Sequence, residues 1–172
     1  YVMGHGALLL GHNHPAVAGA AAAQLALGTH YGASHELEIE WAEEVCRIIP
    51  SAEVVRFTSS GTEATLMALR LARSFSGKPG VIKFDRHFHG WHDSVAVLPL
   101  DLGEVRGTVA GRGDIGAIIV ESAGASSGQL PVPRGFLHDL QAFCRAEGIV
   151  FIMDEVVTGF RWAPGGVQEV EG

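Results

Sequence analysis

Two rhythms of apolar residues run along this chain. From Ser34, Leu37, Trp41, Val45 and Ile48 recur at helical spacing, with Glu36 and Glu38 in the first turn, where acidic side chains suit the helix dipole. The spacing predicts a helix capped by Ser34 and stopped by Pro50. An earlier helix is predicted over residues 15–27, a stretch rich in Ala that opens on Pro15 and ends before Gly28. Further on, Ala64, Met67, Ala68, Leu71, Ala72 and Phe75 mark one helical face, and Glu63, Arg70 and Arg73 the other. Gly77 and Pro79 close that helix. Residues 134–147 form a further amphipathic segment, with Phe136, Leu140, Phe143 and Cys144 inward and Gly148 at its end.

Between these helices lie short segments that read as strands, at 53–57, 81–84, 94–98, 117–120 and 149–153, with 117–120 a continuous apolar run. A strand covered on both sides is apolar on both faces, whereas a half-exposed strand would alternate with polar residues. Strands of this kind alternating with helices predict an α/β fold, a mostly parallel sheet flanked by helices. Residues 1–30, rich in Gly, Ala and His, differ in texture and are predicted to pack outside the sheet formed by the rest.

The 172 residues suffice for one ordinary domain or part of a larger one. With 47% hydrophobic and 18% charged residues, the chain reads as globular and not disordered. A net charge of −7 argues against a nucleic-acid partner. The most apolar stretch is too short to span a bilayer, and the first residues do not read as a signal peptide, so no membrane association and a cytoplasmic location are expected. Cys46 and Cys144 fall inside helical segments and read as small buried hydrophobes, not a disulfide or a metal pair.

Several motifs fail on context. Gly111, Gly113 and Gly116 spell a dinucleotide fingerprint, but it precedes a strand, so no helix N-terminus would face a pyrophosphate. Residues 124–128 spell a nucleophile elbow around Ser126, yet Pro131 and Pro133 leave little room for the helix that a serine hydrolase needs next. The run 149–155 resembles the acidic strand of a nucleoside-triphosphate enzyme, but the chain has no phosphate loop to accompany it. His87, His89 and His92 beside Asp93 fit no common metal-ligand spacing and read as residues lining a polar loop or pocket, so no metal is expected.

Two segments survive. Ser59, Ser60, Gly61, Thr62 and Glu63 leave a strand and open a helix, which reads either as an ordinary serine cap or as an anion cradle best suited to phosphate. Asp154 ends an apolar strand, where a carboxylate needs a cationic or hydrogen-bonding partner, either a structural ion pair or a ligand. Taken together, they suit a cofactor with phosphate at one end and a protonatable ring nitrogen at the other, the shape of pyridoxal phosphate.

These residues sit within ordered motifs over nearly the whole chain: 10–15 (LGHNHP), 59–64 (SSGTEA), 88–93 (FHGWHD), Val120-Glu121, 154–156 (DEV) and 159–161 (GFR). The set resembles the class III, fold type I pyridoxal-phosphate-dependent aminotransferases, and within them the aminomutases and their near relatives. The resemblance implies that Ser60, Gly61 and Thr62 bind the cofactor phosphate, that Phe88 and Val156 pack on the two faces of its ring, and that Asp154 pairs with the ring nitrogen. His89 and Glu121 are expected nearby.

Position 88 is Phe where many relatives carry Tyr, and Ser122 stands where Pro is usual. The Schiff-base lysine of the family follows the Asp154 segment, whereas the lysines of this chain, Lys78 and Lys83, precede Phe88. The resemblance therefore implies a fragment, inactive by itself: a partial N-terminal segment over 1–30 and a partial cofactor-binding large domain over 31–172, without the C-terminal small domain. It further implies a homodimeric parent enzyme acting on a small amino acid or amino-aldehyde. The alternatives are a non-catalytic cofactor-binding remnant and, less in keeping with the motifs, a serine hydrolase using Ser126.

Overall fold

The computed structural model describes residues 3–4, 6–91, 96–124 and 131–172. They divide into two compact units, one of Tyr1–Arg56 with Gly159–Gly172 and one of Phe57–Thr158.

In the second unit, α3 (Gly61–Ser76) precedes β1 (Gly80–Phe84), β2 (Ala96–Leu98), α4 (Leu102–Gly111), β3 (Ile115–Glu121), α5 (Phe136–Glu147) and β4 (Val150–Asp154). The four strands form one sheet in the order β2-β1-β3-β4, with every pairing parallel. This is the α/β architecture that strands apolar on both faces demand. Pairing of Ile119 with Ile152 and of Glu121 with Asp154 sets the register of the central strands.

That register divides the core. Val81, Ala117, Ile119, Val150 and Ile152 share the face that packs against Leu69 and Ala72 of α3. The alternate residues look the other way, where Phe84 meets Phe136 of α5 edge-on, with ring centroids 5.4 Å apart. Arg106 of α4 lies 4.9 Å over the Phe143 ring on that side. Cys144 is buried, which pushes its thiol up to about 12, and Cys46 is half-buried; both are free.

In the first unit, α1 (Pro15–Leu25) and α2 (Glu36–Ile48) bury no residue completely, and α6 (Val167–Glu171) contributes the buried Val167. The side chain of Gln168 accepts from both the amide and the hydroxyl of Ser51, at 3.1 and 2.6 Å.

Four expectations require correction. Residues 53–57 form no strand among the described residues: the chain bends at 53 and 54, and Val54 is 89% exposed. The cap of α2 is His35, whose Nδ1 accepts from the amide of Leu37, and not Ser34. The buried face of α3 is Thr65, Leu69 and Ala72, while Leu71 and Phe75 face outward at 61% and 87% exposure. This helix is apolar on two sides, and contact with the sheet selects the narrower one. Helix α4 was not expected, because three glycines dilute its periodicity. Its signal is Asp101 three residues before Glu104, and the carboxylate of Asp101 caps the amide of Glu104 at 2.9 Å. Of the expected strand at 94–98, residues 94 and 95 lie outside the described residues.

One polar side chain is as buried as the aliphatic core. His87, just past β1, is 1% exposed, and burial, reinforced by His89 and Lys83, holds its pKa down to about 4 from 6.5. Because the folded protein binds this proton less readily than the unfolded chain, the stabilisation is complete above about pH 6.5 and fades as the pH falls towards 4. The shift is worth on the order of 3 kcal/mol.

Two stability measurements check this core. Leu69→Ala should cost about 3 kcal/mol and Leu71→Ala under about 1 kcal/mol in denaturant unfolding; equal costs would contradict the assigned face of α3. Between pH 7 and 4.5 the parent chain should lose stability more steeply than His87→Gln, and parallel slopes would contradict the burial of a neutral imidazole.

Candidate functional site

The strand order creates a crevice. From β1 the chain moves outward to β2, and from β3 it moves the opposite way to β4, so the loops leaving β1 and β3 diverge. Ligands of open α/β sheets gather at such a switch point, beyond the carboxyl ends of the strands. Here those ends carry His87, Phe88 and His89 after β1, Glu121 ending β3, and Asp154 ending β4. The pairing of Glu121 with Asp154 puts both carboxylates on the face covered by α3.

Helix α3 begins at the same rim. Ser60 is its cap, accepting the amide of Glu63 on Oγ at 3.2 Å, while the Glu63 carboxylate accepts the amide of Ser59 at 2.7 Å. The first main-chain helical bond runs from Ala64 to the carbonyl of Ser60. The amides of Gly61 and Thr62 therefore lie outside the bonding of the helix itself and present donors and a positive dipole end. Gly61 lets Val156 pack closely: a Cβ there would stand 3.2 Å from both methyls of Val156, a tight contact that would push that side chain aside. Val156 in turn donates its amide to Asp154 Oδ1 at 2.9 Å, which links the start of α3 to the acid at the tip of β4.

The loop after β1 is clamped on the same turn of α3. The hydroxyl of Thr65 donates to the carbonyl of His89 at 2.5 Å. Gly90, at φ +98°, approaches so closely that a Cβ would lie 2.9 Å from Cα of Thr62. Both the backbone conformation and the contact exclude a side chain there. Phe88 points outward at 55% exposure, with the Trp91 ring edge-on at 5.2 Å between centroids.

Asp154 has found the partner that its burial requires. Nδ1 of His89 lies 2.7 Å from Oδ2, with the two side chains 3% and 5% exposed. The ionised carboxylate only accepts, so Nδ1 carries the proton. Each carboxylate oxygen has more than one lone pair, which leaves Asp154 able to accept a further donor from the crevice. Burial pushes the carboxyl of Glu121 above its ordinary range, against the pull of the amide of Phe88, which donates to it at 2.6 Å. The buried Ser122 and Thr158 and the half-buried Glu155 form a chain after β3 and β4, with Ser122 Oγ 2.6 Å from Thr158 Oγ1, which donates to Glu155 at 2.9 Å.

The structure thus brings Ser60, Gly61, Thr62, Phe88, His89, Glu121, Asp154 and Val156 to one rim of one unit. Sequence reasoning missed Thr65, gave Gly90 no role beyond the 88–93 motif, and read His87 as lining a polar loop or pocket, whereas its side chain is buried at 1% exposure. A threonine inside a helix face and a glycine following two histidines were the available signals. Gly111 closes α4 and Gly116 lies within β3, so the glycine fingerprint precedes its strand. Ser126, Ser127, His92 and Asp93 lie outside the described residues. Among the described residues, no group of three or more His, Cys, Asp or Glu side chains is arranged to hold a metal, and no helix is long and apolar enough to cross a membrane.

Known proteins resemble this chain in sequence and in fold. A glutamate-1-semialdehyde 2,1-aminomutase of Citrifermentans bemidjiense is 42% identical, matching 100% of this chain and 47% of its own length. Among solved structures, an omega-transaminase from Sphaerobacter thermophilus superposes with a TM-score of 0.92 at 33% identity, covering 100% of this chain and 47% of its own. A transaminase with PLP bound superposes with a TM-score of 0.92 at 28% identity, again over 100% of this chain and 47% of its own. The chain spans about half the length of the curated relatives it matches. The class-III aminotransferase family model matches residues 1–98 and 102–166, nearly the whole sequence, and the chain belongs to that family.

Proposed function

We propose that the protein carrying this chain is a pyridoxal-phosphate-dependent enzyme that moves an amino group, between two small molecules or within one. The observation behind the proposal is that a helix N-terminus with free amides and a buried carboxylate share one rim, joined through Val156. The residues present fit the cofactor. Gly61 and Thr62, with Ser60 beside them, offer donors for a phosphate, and Asp154 keeps acceptor capacity for a protonated ring nitrogen.

Bound pyridoxal phosphate supplies an electron-accepting ring that stabilises the carbanion left when a substrate loses its α-proton. The residues of this chain make that chemistry effective. Asp154 holds a proton on the ring nitrogen by countering its charge, and His89 and the amide of Val156 fix the carboxylate in place. Phe88 and Val156 orient the ring plane and exclude water from it. The named relatives include an aminomutase and an omega-transaminase, in keeping with either reading.

The proposal extends to a small amino acid or amino-aldehyde substrate, a homodimeric assembly, a cytoplasmic location and a Schiff-base lysine beyond Asp154, all carried by the sequence resemblance. Lys83 is committed elsewhere, donating to the carbonyl of His87 at 3.0 Å.

Absorption spectroscopy on the full-length protein tests the proposal. The purified protein, or the protein reconstituted with pyridoxal phosphate, should show a visible band that borohydride abolishes; a colourless protein that cannot be reconstituted would overturn the reading. Asp154→Ala should lower turnover by at least about a hundredfold. Undiminished turnover would show that the acid does not support the ring.

A further inference from the structure

The proposed cofactor site leaves one of the most buried polar residues without a task. His87 is 1% exposed, and its Nδ1 lies 2.9 Å from the amide nitrogen of Glu121. A backbone amide can only donate, so Nδ1 accepts and the neutral ring carries its proton on Nε2. The next amide along, that of Phe88, donates to Oε1 of Glu121 at 2.6 Å. Consecutive residues leaving β1 and one residue ending β3 therefore exchange hydrogen bonds in opposite directions. Lys83 adds a tie within the same loop through the carbonyl of His87.

The loop needs such restraint. Arg86, immediately before His87, has φ +60°, a left-handed conformation that non-glycine residues adopt only when their surroundings impose it. The turn closes through the amide of His87 on the carbonyl of Phe84 at 3.1 Å. Burial of His87, together with the nearby Lys83, favours its neutral ring and keeps its Nδ1 lone pair available to Glu121.

We propose that His87 is a positioning residue: by accepting the amide of Glu121 it sets the carboxylate that holds the amide of Phe88, and so fixes the aromatic ring that packs against the cofactor. The inference rests on the pyridoxal-phosphate reading for its last step alone, since the clasp itself belongs to the cofactor-free protein. His87 acts through its neighbours and need not touch substrate or cofactor.

The test uses the full-length protein with His87→Leu, which removes the acceptor, and His87→Asn, whose Oδ1 takes the place of Nδ1. In the cofactor-free state, hydrogen exchange at the Phe88 amide should quicken about tenfold or more in H87L and stay within about threefold of the parent protein in H87N. The dissociation constant for pyridoxal phosphate should rise about tenfold in H87L and recover in H87N. Unchanged exchange and affinity in H87L would overturn the proposal, as would failure of H87N to restore them.

Should H87L not fold, the nitrogen spectrum of the parent protein labelled with ¹⁵N-histidine decides. An unprotonated Nδ1 and a protonated Nε2 at pH 7 support the clasp, and a protonated Nδ1 overturns it. A parent protein that binds no pyridoxal phosphate overturns the proposed function instead, and is told apart because the exchange and nitrogen measurements need no cofactor.

Discussion

A carboxylate at the end of an apolar strand is the constraint around which the rest of this unit is organised. Asp154 follows Val150, Phe151, Ile152 and Met153, and its side chain is 5% exposed, so water cannot solvate its charge. An unpaired ion in such a place costs several kcal/mol. His89 on one oxygen and the amide of Val156 on the other offset that cost, and each draws its own segment to the rim. His89 carries the loop after β1, which Thr65 and the close approach of Gly90 then fasten to α3. Val156 sits against Gly61 at the first turn of the same helix. The acid, the aromatic loop and the open helix terminus are thus held together by the side chains of Asp154, His89 and Thr65, the main-chain amide of Val156 and the close approach of Gly90.

The sheet topology explains why these parts meet where they do. Parallel strands put all of their carboxyl ends at one rim, and reversal of direction between β1 and β3 makes that rim the switch point where the loops diverge. A buried histidine such as His87 is useful in that setting because it can accept a main-chain amide where a hydrocarbon cannot. The price is sensitivity to acid, since the imidazole is accommodated only while neutral.

Much of this was legible in the residues. Apolar runs at 81–84, 117–120 and 149–153 announced a sheet covered on both sides, and Ser60 to Glu63 announced a helix start, because both signals are local. What escaped was decided by partners distant in the chain. Residues 53–57 carry Val54, Val55 and Phe57, but the segment joins no strand of the sheet and Val54 is 89% exposed, which local sequence does not specify. The inner face of α3 was misread because both sides of the helix are apolar and only packing on the sheet chooses Leu69 over Leu71. The partnership of His89 with Asp154 spans 65 positions, and that of His87 with Glu121 spans 34, so neither could be seen in a motif. Resemblance to a family identified the residues around the crevice; only the structure shows which ones hold the others.

The account turns on Asp154 as the counter-charge to a protonated ring. Pyridoxal phosphate labelled with ¹⁵N at the ring nitrogen, bound to the full-length protein, reports that charge by its nitrogen chemical shift. A protonated nitrogen at neutral and mildly alkaline pH, lost when Asp154 is replaced by Ala, is the predicted result. An unprotonated nitrogen in the unaltered protein, or one whose protonation is indifferent to Asp154, would contradict it.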